Sequence, residues 1–180
     1  MGVGQAEVHT LGFSNREWAG TLEILRAYRI ERLIDIRTVP KSRHTPQYNS
    51  DQLAWLLPEL GIEYYHLKAL GGFRKPKQDD PTNAGWRNES FRGFADYMQT
   101  QEYAEALAHL ITLFKERRSV YACTEAVFWR CHRSLVSDAL LIRGHEVGHI
   151  FSATKCDPHR LTSFARVEGA RVTYPGPPGD

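Results

Sequence analysis

Short apolar runs suited to strands alternate with amphipathic helical patterns along nearly the whole chain, and this βαβ order narrows the accessible folds more than any single motif. Strands are expected at 7–11, 32–36, 63–67, 119–123 and 146–151. Ser14 and Glu17 have the spacing of a capping box, and Trp18, Leu22 and Leu25 then recur at helical intervals, which predicts a helix to about Arg29. Ser50 and Asp51 open a second helix that buries Leu53, Leu56, Leu57 and Leu60 and stops at Gly61. The polar Gly, Pro and Lys stretch 71–85 reads as a long loop. From about Ser90 a helical region follows with Leu107, Leu110, Ile111 and Phe114 on one face, and a last helix after Cys131 carries Leu135, Ala139 and Ile142 and ends at Gly144. The pattern predicts a single α/β domain over 1–174, with a mostly parallel sheet of about five strands and helices on both faces. A disordered tail is expected at 175–180.

At 180 residues and 42% hydrophobic, the chain can bury one sizeable core. The net charge of +2 gives only a mild bias toward anionic partners. The cysteine count of three is odd, and no segment approaches the ~20 apolar residues of a membrane span. The expectation is a soluble, cytoplasmic protein with reduced thiols and no membrane contact.

In open α/β sheets ligands collect outside the carboxyl ends of the strands. Polar residues fall there repeatedly: Thr10, Gly12 and Ser14 after the first strand, and Asp35, Arg37, Lys41, Ser42 and Arg43 after the second. His66, Gly71, Gly72 and Arg74 follow the third, and Cys123, Glu125, Arg130, Cys131, His132 and Arg133 the fourth. The fourth group stands at the start of a helix, where unpaired N–H groups and the helix dipole favour anions and depress thiol pKa values. Asp35 and Arg37 point to one side of their strand. They read either as a structural salt bridge or as parts of a site in which Arg37, Arg43 and Arg133 clamp oxyanions while Asp35 or Glu125 handles a proton.

The cysteines admit three readings. A phosphatase-type loop wants Arg six positions after Cys; Arg130 is one residue late for Cys123, and Ser137 stands at that place for Cys131. Zinc ligands could be drawn from Cys123, Cys131, His132, Cys156 and His159, but Cys123 and Cys131 are eight apart, wider than the tight pairs of structural zinc sites. The third reading makes Cys123 a small buried residue and leaves Cys131 as a packing residue or a mildly activated thiol. Trp18 and Trp55 are expected in the core. Trp86, Phe91 and Trp129 lie among Arg74, Arg87, Arg92 and Arg130, which suits either stacking on bases or a packed lid.

Several separated motifs also carry a resemblance. Thr10-x-Gly12-x-Ser14, Asp35-x-Arg37-x-x-Pro40-x-Ser42-Arg43, Leu70-Gly71-Gly72, Phe91-x-Gly93-Phe94-Ala95-Asp96-Tyr97-Met98, Cys123-x-Glu125 and Cys131-His132-Arg133 occur in that order. Over about 10–150 the chain resembles the domain of unknown function 488 family of bacterial and archaeal proteins. The resemblance implies an α/β domain and no settled activity.

Two functions follow as expectations. One is a hydrolase or lyase acting on a phosphate-bearing ligand, a nucleotide or nucleic acid, with base removal among the reactions its carboxylates and aromatics would suit. Its catalytic candidates are Asp35, Glu125 and Cys131; its binding candidates are Thr10, Ser14, Arg37, Ser42, Arg43, His66, Arg74, His132 and Arg133. The other is a non-catalytic module that senses an anionic ligand or docks a partner. No metal and no cofactor is expected in either.

Overall fold

The computed structural model describes residues 6–178. Its elements run β1 (Val8–Gly12), α1 (Trp18–Ala27), β2 (Arg32–Asp35), α2 (Ser50–Glu59), β3 (Glu63–His66), α3 (Glu89–Tyr97), α4 (Gln101–Glu116), β4 (Ser119–Cys123), α5 (Arg133–Leu141), β5 (Val147–Ser152), β6 (Lys155–Pro158), β7 (Arg166–Glu168) and β8 (Arg171–Thr173). The main sheet has the order β3-β2-β4-β1-β5-β6. Its first five strands are parallel, and β6 turns back antiparallel on β5. A separate antiparallel hairpin joins β7 and β8.

Alternation along the strands feeds two cores. Leu33, Val120 and Ala122 pack with Ile24 and Leu25 of α1 and Leu53 and Leu57 of α2 on one face. Ile34, Tyr121 and Val147 pack with residues of α3, α4 and α5 on the other. A parallel sheet covered on both faces reads as near-continuous apolar strands, which is why the five parallel strands stand out in the sequence. The expected α/β domain with helices on both faces is the observed one.

Several local expectations are corrected. Glu17, not Ser14, is the residue before the first turn of α1, and neither caps it; Ser14 sits at φ 49 in the turn leaving β1. Trp55 faces outward and is 68% exposed, because the buried face of α2 is Leu53 and Leu57. The helical region after Ser90 is two helices, broken where Thr100 caps α4 through Tyr103 N–H. The 71–85 stretch is held down: the Asp96 carboxylate accepts from Lys77 N–H and Asn83 Nδ2, and Asn83 Oδ1 accepts from Tyr174 N–H. Trp86 stacks on Phe91 and meets Phe164 and Tyr174, so these aromatics form a packed cluster. Residues 175–178 carry no regular secondary structure, and 179–180, the end of the expected tail, lie outside the described residues. Among the described residues no helix is long and apolar enough to cross a membrane.

Candidate functional site

β1 and β4 lie side by side, yet the connection from β1 passes through α1 on one face and that from β4 through α5 on the other. Such a switch point leaves a crevice at the strand ends. Gly12 closes β1 there, and a Cβ on it would run into the Glu125 carbonyl oxygen, so only glycine lets the loop after β4 cross so near. That loop is fastened along its length. Phe13 N–H donates to Cys123 O and Ser14 N–H to Thr124 O. Arg133 Nη2 donates to Glu125 O at 2.6 Å, and Phe128 stacks on His149 at 3.6 Å.

The fastened loop brings Cys123, Cys131 and His132 together, with one donor atom of each within 4.8 Å of the others. His132 Nε2 is 3.1 Å from the Ile36 carbonyl, which can only accept, so this nitrogen carries a proton; Nδ1 is turned toward Cys131 Sγ at 3.7 Å. Arg133 donates its backbone N–H (3.5 Å) and Nε (3.4 Å) to the same sulfur. Burial opposes ionisation of Cys131. A hydrogen bond from Cys123, the charge and hydrogen bond of His132 and the Arg133 guanidinium outweigh it and hold the thiol well below its ordinary range. Cys123 is pushed up by its hydrogen bond to Cys131, by burial and by that neighbour's charge. Two chemistries fit such a cluster: a thiolate nucleophile beside an oriented histidine, or a set of soft donors for a metal.

Beside the cluster lies a cleft of about 290 Å³, lined among others by Phe73, Phe91, Glu125, Arg130 and His132. Glu125 and Arg130 are exposed there. Phe73 on the cleft wall is 80% exposed, and Trp129, the residue before Arg130 in the chain, is 55% exposed.

The other sequence candidates are distributed unevenly around this cleft. Asp35 is fully buried and does not line it; its carboxylate accepts from Arg37 Nε and Nη2 and from the Tyr64 hydroxyl. Arg37 lines the cleft, but its guanidinium is committed to Asp35 and to the Tyr48 carbonyl. Of the two readings weighed for this pair, the geometry is that of the buried salt bridge. Arg133 is 1% exposed and committed to Cys131, Thr10 and Glu125 O. Thr10 is buried beneath it. His66 Nε2 donates to Arg37 O, and Arg74 lies over the Tyr97 ring while donating to the carbonyls of Gly71 and Ala69. Ser42 organises the turn before α2 through Asn49 and His44, Ser14 bonds Asn15, and Arg43 is exposed; none of these three lines the cleft.

A buried chain that the sequence did not single out supports Arg133. Arg133 Nη1 donates to Thr10 Oγ1 (3.1 Å), Thr10 to His149 Nδ1 (2.8 Å), His149 Nε2 to His159 Nδ1 (2.8 Å), and His159 Nε2 to Asp138 (2.7 Å). A carboxylate can only accept, so with one proton on each imidazole every donor from His159 back to Thr10 is fixed. Asp138 also accepts from Thr162 and Tyr174. His149 is lowered to about 2, first by burial and then by His159 and Arg133, which keeps it neutral. A histidine in the middle of the apolar strand 147–151 was the available signal. Cys156 and His159, considered as zinc ligands, do not join the Cys123 cluster.

No curated protein and no solved structure gave a significant match to the chain. Residues 17–140 match the model of the family described as Domain of unknown function DUF488, a span that takes in the turn after β2, the Cys–His cluster and most of α5. The chain therefore belongs to the DUF488 family.

Proposed function

We propose that the cleft takes the phosphate-bearing part of a nucleotide or nucleic-acid strand and that the protein hydrolyses a bond in that ligand. The observation that carries this reading is Arg130. It faces the cleft exposed and without an ion pair among the described residues, whereas Arg37 and Arg133 are committed inside the fold. An arginine held for a ligand matches phosphate oxygens better than any neutral group. Exposed Glu125 is the carboxylate that can take a proton from water or give one to a leaving group.

Two further features support a nucleic-acid ligand. Phe73 lines the cleft with its ring exposed, and an unstacked base gains about 1–3 kcal/mol on such an aromatic platform. A neighbouring hollow of about 480 Å³ carries Lys75, Lys77 and Arg92 beside Asp79 and Glu89, three cations for a continuing backbone. Three unpaired cysteines suit a reducing, cytoplasmic setting.

The test pairs binding with turnover on short single-stranded oligonucleotides, including damaged bases, and free nucleotides. Glu125→Gln is expected to keep affinity within about twofold and to lower turnover by a factor on the order of 100 or more, the usual weight of a positioned acid or base. Parallel loss of affinity in Glu125→Gln and Arg130→Ala, with no ligand in the panel turned over by the unmodified protein, would reduce the cleft to a sensing site.

A further inference from the structure

We propose that Cys123, Cys131 and His132 form a three-donor Zn²⁺ site whose fourth position opens into the cleft. The donors come from the end of β4 and the turn into α5, and their ligand atoms lie within 4.8 Å of one another. A tetrahedral ion with Zn–S near 2.3 Å and Zn–N near 2.1 Å sets sulfur and nitrogen about 3.6 Å apart. Cys131 Sγ and His132 Nδ1 are 3.7 Å apart before any ion enters.

The surroundings are those a metal site needs. His132 gives its Nε2 proton to the Ile36 carbonyl, which fixes the ring and leaves the Nδ1 lone pair for an ion. Two N–H groups of Arg133 already point at Cys131 Sγ, as outer donors that orient a thiolate ligand. Two thiolates and a divalent ion sum to zero charge, so the buried Arg133 guanidinium meets no net cation. A Cβ on Gly72 would come within 2.7 Å of His132 Nδ1, and the missing side chain keeps the approach to that donor clear. All three donors line the cleft, so a fourth ligand would come from bound water or substrate.

Thiolate and imidazole select zinc over hard cations, and three protein ligands with one open position are the pattern of a catalytic rather than a structural ion. The eight-residue separation of the cysteines is no obstacle. The loop between them is closed by tertiary contacts, Arg133 to Glu125 O and the Phe128–His149 stack, together with a 3-10 turn at Phe128–Arg130 that leads into Cys131. A metal there would act as a Lewis acid toward the cleft's ligand; that role alone rests on the proposed function, and metal binding does not.

The test is elemental analysis of the full chain, purified without chelator and under reductant, followed by Co²⁺ titration with optical detection of thiolate-to-cobalt charge transfer. About one Zn²⁺ per chain is expected in the unmodified protein, in keeping with a three-ligand site. Cys123→Ser and His132→Gln should each lower retained zinc at least tenfold, with folding checked by circular dichroism. Arg130→Ala should keep its metal. Protein that stays metal-free, takes up neither ion and shows freely reactive thiols would overturn the proposal and leave Cys131 as a thiolate nucleophile. Uptake unchanged in both variants would overturn it equally. Metal without oligonucleotide binding counts only against the proposed function, and oligonucleotide binding by metal-free protein counts only against the zinc site.

Discussion

His9 offers a quantitative test of how the buried polar groups of this sheet respond to pH. It sits on β1 at 1% exposure, its ring 5.3 Å from that of Tyr28, and neither ring nitrogen has a hydrogen-bond partner among the described residues. Burial, and then the charge of Arg118, lowers it to about 4, and His149 is lowered to about 2. The unfolded chain takes up these two protons near the ordinary pKa of about 6.5, whereas the folded chain refuses them until well below. Stability from each histidine is therefore complete above pH 6.5 and is lost as pH falls toward the folded value. From pH 7 to pH 5 the loss is about 2 kcal/mol per histidine and roughly 4 for the pair, a large share of the 5–15 kcal/mol that holds a typical domain. Urea unfolding followed by tryptophan fluorescence at pH 7, 6 and 5 reads this directly. Other groups titrate as well, so the informative quantity is the difference from His9→Phe, which keeps a ring against Tyr28 and removes one titrating site. The variant is expected to lose about 2 kcal/mol less than the unmodified protein over that range. At pH 7 it should be equal in stability or about 1 kcal/mol more stable, since two buried unpaired nitrogens disappear. A variant with the same pH dependence as the unmodified protein would refute the reasoning.

Two further outcomes follow from the geometry. Asp138→Asn leaves an amide where His159, Thr162 and Tyr174 all donate, and should cost about 3 kcal/mol. A urea midpoint shift equivalent to less than about 1 kcal/mol would contradict a fully formed chain from Asp138 to Arg133. Gly12→Ala drives a methyl into the Glu125 carbonyl and must move the loop carrying Glu125 and Arg130. Circular dichroism should be unchanged while oligonucleotide affinity falls about tenfold, near 1.4 kcal/mol. Unchanged affinity would show that this loop does not shape the cleft.

The parts of the fold that were legible in the sequence are those buried on both sides. The parallel strands show apolar runs because helices cover both faces, and the glycines after α2 and α5 mark where those helices stop. β6, β7 and β8 leave no such trace in the sequence, because their residues are largely exposed and carry no apolar pattern. Trp55 reads as a core residue because it neighbours Leu53, Leu56 and Leu57, yet at 100° per residue it turns away from Leu53 and Leu57. At the site, the loop 123–133 was identifiable from its density of Cys, His, Glu and Arg. The commitments of its arginines were not. The Asp35–Arg37 pairing is one of the two readings the sequence offers, but the contacts of Arg37 with the Tyr48 carbonyl and of Arg133 with Thr10 and the Glu125 carbonyl are brought together only by the folded chain. Asp138 and His149 read as ordinary helix and strand residues and His159 as a zinc candidate beside Cys156, and only their alignment makes them a chain.

The most direct test of the cleft is fluorescence anisotropy of a labelled single-stranded oligonucleotide at several salt concentrations, with the unmodified protein and Arg130→Ala side by side. Arg130 should supply one phosphate contact, so its removal is expected to weaken binding about fivefold or more and to lower the slope of log affinity against log salt by about 0.7. Equal affinity and equal slope in the two proteins, or no binding by either, would contradict a phosphate-bearing ligand held by Arg130.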